Sequence, residues 1–340
     1  MPPCPETSNL LVQENWLDAN AMRASPHQTP VQPRDIRFGC RTFIHGCFPY
    51  REPTADKLIN GFWVRTNGLQ TLYIQGGLHG IPYGIYPRLF MIWLTSEVIR
   101  TRSRTISLGK SFREHCKALG VPYSAGKRGT ARALQIQIER LLQCRVLRTE
   151  TSSPGRQTTD ITDTALLHET TLNLTVASRT ASLWRRLPPE AQDRWHCDRY
   201  TLEVSDAFFE EITTQSIPIR HDALMALRRR PMAIDVYQWL AYRYFSLHAP
   251  TTPTWDQLAN QFGSDYKTLR KFRKKFIETL ARVREVYPEA NCHPNKTGVT
   301  LFPSDTPVPP QERSTFSIPV FGSSEPHSAG KKKSYSQNWP

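Results

Sequence analysis

From about residue 60 the apolar positions switch between a two-residue and a three-to-four-residue rhythm, which predicts strands mixed with helices. Phe62-Trp63-Val64-Arg65-Thr66 and Leu69-Gln70-Thr71-Leu72-Tyr73-Ile74 are β-prone runs joined by Asn67-Gly68, the pair favoured in a type I′ hairpin turn. A glycine-rich loop over 76–84 precedes a helix that Pro87 opens and that runs to about Arg100, with Leu89, Ile92, Trp93 and Val98 on its stripe. Residues 105–109 read as a short strand. Phe112, Cys116 and Leu119 then mark a short helix stopped by Gly120 and Pro122. The next helix, 130–143, has Ala131, Leu134, Ile138, Leu141 and Leu142 on its apolar face, with Arg132, Gln135, Gln137 and Arg140 opposite. Strands at 145–149 and 172–176 follow, around a loop rich in Ser, Pro, Gly and Thr that carries Arg156.

In outline the order repeats from Tyr200. Residues 200–204 alternate as a strand, and Asp206 is placed to cap a helix ending at Gln215. A helix over 232–247 spaces Tyr237, Leu240, Ala241, Tyr244 and Phe245 as a core would require. Thr254-Trp255-Asp256-Gln257 is a capping box ahead of Leu258, Ala259 and Phe262, and Gly263 ends that helix. Ser264-Asp265 is expected to open a long helix burying Leu269, Phe272, Phe276, Leu280 and Val283. A last strand pair, 290–292 and 299–302, has Lys296 near its tip. Helix, strand, helix, turn, basic helix and β-pair is the order of a winged helix-turn-helix, whose second helix enters the major groove. The fold class expected is therefore α+β, mainly α: two tandem winged helix-turn-helix domains over 35–185 and 186–303. Tails at 1–34 and 304–340, each with six prolines and the second with Lys331-Lys332-Lys333, lack the apolar surface to fold.

Charge sharpens the picture. The 340 residues carry 44 Lys+Arg against 30 Asp+Glu, a net charge of +14. Residues 100–148 hold twelve bases and two acids, and 264–286 hold eight bases and three acids, so these two windows account for the excess. Two separate basic patches, each on a helix-turn-helix pattern, suit a polyanion with two contact surfaces, namely double-stranded DNA. In the first, Lys127 and Arg128 stand where free N–H groups favour phosphate, while Arg132 and Gln135 are spaced to reach base edges. In the second, Lys267, Arg270, Lys271, Lys274 and Lys275 crowd the start of the long helix. Gly120 to Lys127 imitates a nucleotide-binding loop, but five residues separate its glycines and Arg follows the Lys, so no nucleotide cofactor is expected. Seven scattered cysteines, no CxxC and no His-x-His argue for free thiols and against a metal centre or a histidine-metal nicking enzyme. The longest apolar stretch, 85–98, is broken by Pro87, Arg88 and Glu97, and no signal-like segment opens the chain. A cytoplasmic, non-enzymatic DNA-binding protein is the expectation, with no membrane partner.

The stretches Gly80-Ile81-Pro82-Tyr83-Gly84-Ile85-Tyr86-Pro87-Arg88-Leu89, 93–101 and 126–130 resemble plasmid replication initiators of the RepA family. So does Pro231-Met232-Ala233-Ile234-Asp235-Val236-Tyr237-Gln238-Trp239-Leu240-Ala241-Tyr242-Arg243, the most specific of these motifs. The resemblance covers about 60–302. It implies binding to repeated origin sites (iterons) on double-stranded plasmid DNA, duplex opening, and contact with the host replicative helicase and initiator ATPase. Self-repression as a homodimer is implied as well. A repressor using the same surfaces without initiator activity is the alternative that stays open at this point.

Overall fold

The computed structural model describes residues 35–309 apart from 69, 110, 127, 152–164, 169–174, 177–200 and 264. The expected N-terminal tail, most of the C-terminal tail, Lys127, Arg156 and the domain boundary near 185 lie outside the described residues. In chain order the elements begin with β1 (Ile36–Gly39), α1 (Arg41–His45), β2 (Phe62–Asn67), β3 (Gln70–Gln75), α2 (Ile85–Thr101) and β4 (Thr105–Ser107). They continue with α3 (Phe112–Ala118), α4 (Thr130–Gln143), β5 (Arg145–Thr151), β6 (Ala165–His168), β7 (Thr175–Val176) and β8 (Thr201–Glu203). Next come α5 (Asp206–Gln215), β9 (Ile217–Arg220), α6 (His221–Leu227), α7 (Pro231–Ser246) and α8 (Trp255–Phe262). The last elements are α9 (Leu269–Val286), β10 (Cys292–Pro294) and β11 (Val299–Leu301).

Two helices, α2 and α7, are apolar nearly all round and are accordingly buried on most sides. Three aromatic positions of α7 are core, Tyr237, Trp239 and Tyr244, whereas Tyr242 and Phe245 are half-buried, a correction for Phe245, which the spacing places in the core. A single hydrophobic cluster runs from Cys40 to Leu301 and includes both helices. Each helix brings one charged side chain into it, and the two charges meet. Arg88 Nε and Nη2 donate to Asp235 Oδ1 and Oδ2 at 2.8 and 2.7 Å, with both residues buried. The remaining guanidinium protons go to the carbonyls of Phe48, Pro49 and Gly84. Such complete satisfaction is what lets an ion pair sit in a core. A second polar seam has buried Glu211 Oε1 accepting from Thr42 N at 2.9 Å, Thr42 Oγ1 at 2.6 Å and Cys40 Sγ at 3.3 Å.

Sheets also join the early and late parts of the chain. β1 pairs antiparallel with β9, and β4 with β8, where buried Ile106 and Leu202 are register partners. A four-stranded sheet has the order β2-β3-β5-β6. Here the structure corrects the expected wing: β5 pairs with β6, while β7 pairs with β8 instead. The hairpin turn also moves one residue along, since Asn67 pairs with Gln70 and Gly68 takes φ +60°. The two registers differ by a two-residue shift, which keeps Trp63, Leu72 and Ile74 on one face, so alternation could not separate them.

Several ends differ from expectation. Ser205, not Asp206, caps α5, its Oγ accepting from Phe208 N. Helix α2 starts two residues before Pro87. Residues 304–309, assigned to the tail, instead pack down: Val308 is buried and the Tyr287 hydroxyl donates to the Asp305 carbonyl.

Candidate nucleic-acid interface

Helix α8 is fixed at its start by a complete capping box. Thr254 Oγ1 accepts from Gln257 N, and Gln257 Oε1 accepts from Thr254 N. Its apolar face, Trp255, Leu258 and Phe262, is buried, and buried Gln261 donates to the Ile44 carbonyl at 2.7 Å. The helix therefore sits against the β2 side of the molecule, and Lys57 pairs with Asp265 in the following turn at 3.5 Å.

The turn is longer than the pattern predicts. Helix α9 begins at Leu269 rather than Ser264, because Thr268 is its N-cap, accepting from Lys271 N. Leu269 is consequently exposed, a correction to the expected buried set, whereas Phe272, Phe276, Leu280 and Val283 are buried as expected. Lys267 lies just ahead of the helix; Arg270, Lys271, Lys274 and Lys275 lie on it, and all five are exposed. At 3.6 residues per turn the centre of this basic face is about 170° from the centre of the buried stripe. The first turn of α9 holds no acidic residue. Cations at a helix N-terminus oppose the macrodipole, by ~0.3–1 kcal/mol each. Nothing in packing requires them there, and an anion at the same place would reverse the sign. Lys275 is partly engaged, at 3.3 Å from Glu278.

The hairpin β10–β11 completes this surface. Thr251 and Thr254 bridge to Leu301 and Gly298, adding a short third edge ahead of α8. A Cβ at Gly298 would overlap the Pro253 carbonyl, so only glycine permits that approach. At the tip, Asn295 Oδ1 accepts from Thr297 N, Thr297 Oγ1 and Gly298 N at 2.8–2.9 Å. Lys296 is thus held out on a rigid turn, exposed. Arg273 ties the tip to the helices: its guanidinium lies 5.1 Å from the Trp255 ring and donates to the Asn295 carbonyl at 3.1 Å.

The first expected surface is less basic than its sequence suggests. Helix α4 spans the expected residues and buries Ala131, Leu134, Ile138 and Leu141, and Arg128 and Arg132 are exposed. Gln137, expected outward, is buried and accepts from Tyr83 N at 2.7 Å. Arg140 turns inward too, pairing with Glu52 at 2.7 Å and lying 5.0 Å from the Tyr83 ring. Both stabilise the loop before α2. Gln135, half-buried, donates to Glu139 Oε1 at 2.8 Å, so base contact by its amide requires that bond to open. Ahead of the helix, Ser124 and Thr130 exchange hydrogen bonds that hold the approach to its N-terminus, with Ser124 Oγ accepting from Thr130 N at 2.9 Å and Thr130 Oγ1 accepting from Ser124 N at 3.0 Å.

Among the described residues no cluster of three His, Cys, Asp or Glu side chains is placed to hold a metal ion. No helix among them is long and apolar enough to cross a membrane. Sequence reasoning missed Arg88 and Asp235. Their signal was present: each is a charge with apolar neighbours on both sides within its helix, and each falls in one of the two longest family-like motifs.

Residues 81–257 match the family described as plasmid encoded RepA protein. No curated protein matches the chain in sequence. Among solved structures, domains 2–3 of RctB share 12% identity with a TM-score of 0.37, over 84% of this chain and 94% of that one. A selenomethionine derivative of domains 2 and 3 of RctB aligns at 13% identity and TM-score 0.42, over 86% and 98%.

Proposed function

The chain belongs to the family of plasmid encoded RepA proteins, which are plasmid replication initiators, and from that premise we propose that it binds double-stranded origin DNA through two winged helix-turn-helix units. The exposed basic face of α9, opposite its buried stripe and beside the rigid Lys296 tip, is the observation that carries this reading. In it, α9 enters the major groove, Lys271, Lys274 and Lys275 meet phosphates, and the β10–β11 tip touches the adjoining backbone. Helix α4 forms the second surface, with Arg128 on phosphate and Arg132 on a guanine edge. Binding to repeated sites then positions the protein to open the origin and recruit host replication proteins.

A salt titration tests the core of this proposal. Replacing Lys271, Lys274 and Lys275 by Ala is expected to weaken binding to specific and random duplexes alike and to flatten the slope of log K against log salt, by ~0.9 for each phosphate left without its lysine. An unchanged slope removes these lysines from the interface. Arg132→Ala is expected to cost ~1–3 kcal/mol on the specific site and little on random DNA. Equal losses on both would move Arg132 to the backbone-contacting class.

A further inference from the structure

Three consecutive arginines, Arg228, Arg229 and Arg230, make the turn between α6 and α7, outside both basic windows. Arg229 and Arg230 are exposed, and among the described residues no carboxylate forms an ion pair with any of the three. Arg228 folds back to donate to the Met225 carbonyl at 2.7 Å. Met225 in turn packs against Gly120, whose added Cβ would run into the Met225 sulfur. This sets the arginine turn beside the segment joining α3 to α4. On its other flank Met232 touches α9, with Thr279 Oγ1 3.6 Å from its sulfur. Thr279 lies one helical turn from Lys275 and one from exposed Arg282. The turn thus sits between the approach to α4 and the middle of α9.

At the C-terminus of α6 the macrodipole favours a cation, and Arg228 takes that role through its bond to the Met225 carbonyl, whereas the exposed Arg229 and Arg230 lie one and two residues further on. They precede Pro231 at the N-terminus of α7, whose first turn has no acid, and there the helix macrodipole repels them. Like charges three in a row repel one another as well. An anion spanning the gap between the two helix-turn-helix surfaces removes all of these costs. We propose that Arg228, Arg229 and Arg230 form a third contact, on the phosphate backbone of the DNA segment between the two recognition helices. The inference rests on the DNA-binding reading above and adds to it a site that binds without reading sequence.

The test uses the full chain and a random-sequence duplex of about four helical turns. Arg229→Gln/Arg230→Gln is expected to lower the salt slope by about 1–2, and Arg229→Lys/Arg230→Lys to keep the wild-type slope, since a phosphate accepts either cation. On the wild type, phenylglyoxal modification of Arg229 and Arg230, read by mass spectrometry, is expected to fall when the duplex is added. A wild-type slope in the Gln variant, or modification indifferent to DNA, overturns the third contact; if Lys271/Lys274/Lys275→Ala still flattens the slope, the two-surface reading survives. Failure of the wild-type protein to bind any duplex overturns both.

Discussion

At the scale of single residues, the Arg88–Asp235 pair shows why a charge can be conspicuous in sequence and yet belong to the core. Both side chains are buried, so removing one leaves the other charged and unpaired in the core. Arg88→Met or Asp235→Leu alone is expected to cost ~3–5 kcal/mol, and Arg88→Met/Asp235→Leu together to recover most of that. Urea unfolding of the three variants measures it; a loss in the double equal to the sum of the two single losses would show that the pair is not coupled. His115 makes a second residue-scale prediction. It lies against Trp93, ring centroids 4.7 Å apart, and burial lowers its pKa from 6.5 to about 4. The folded state refuses a proton that the unfolded chain accepts below about pH 6.5. Stability should therefore be full above that pH and fall as the pH drops toward 4, by up to ~1.4 kcal/mol per pH unit from this group. His45, lowered to about 3 by burial and then by nearby Arg41, adds in the same direction. His115→Leu is expected to shallow the acid limb of the urea midpoint against pH; an identical limb would assign it elsewhere.

At the scale of elements, caps and close approaches control where the helices of the proposed interface begin. The capping box at Thr254 was legible because it is purely local: the residue types and their three-residue offset suffice. The start of α9 was not, since Ser264, Asp265 and Thr268 are all residue types that cap helices. Thr268 serves as cap, and with the turn running through Asp265, which Lys57 holds, Leu269 stays exposed. Thr254→Ala should destabilise the α8–α9 unit by ~1 kcal/mol without altering the salt slope of DNA binding, whereas Gly298→Ala should do worse because the Pro253 carbonyl must move. Thermal unfolding paired with a salt titration separates the two kinds of effect. In α4 the apolar stripe was read correctly, yet Gln137 and Arg140 turned inward, because a neighbouring loop offered a backbone N–H, a carboxylate and an aromatic face.

For the whole molecule, the arrangement of early and late segments matters most. The pairing of β1 with β9 and of β4 with β8, one continuous apolar cluster, and the Arg88–Asp235 and Glu211 seams all join parts of the chain more than 90 residues apart. Helices α4 and α9 are then carried on one framework rather than on a loose tether. Inserting about half a helical turn, ~5 base pairs, between the two half-sites is accordingly expected to abolish tight binding. Footprinting and affinity on native and expanded sites decide the matter. Undiminished affinity on the expanded site would mean that the halves move independently.

What the sequence determined by itself is whatever depends on near neighbours along the chain. The helical stripes of α4, α8 and α9, the capping box, the basic face of α9 and the family motifs all follow from spacing and residue type, because their physics acts within one or two turns. Tertiary structure alone decided the partners: that β5 pairs with β6, that β7 joins β8, that Arg140 is taken up by Glu52, and that Arg88 finds Asp235. A short strand or a lone charge carries no record of which distant group will satisfy it. Burial makes that satisfaction obligatory, and only the folded chain supplies the group.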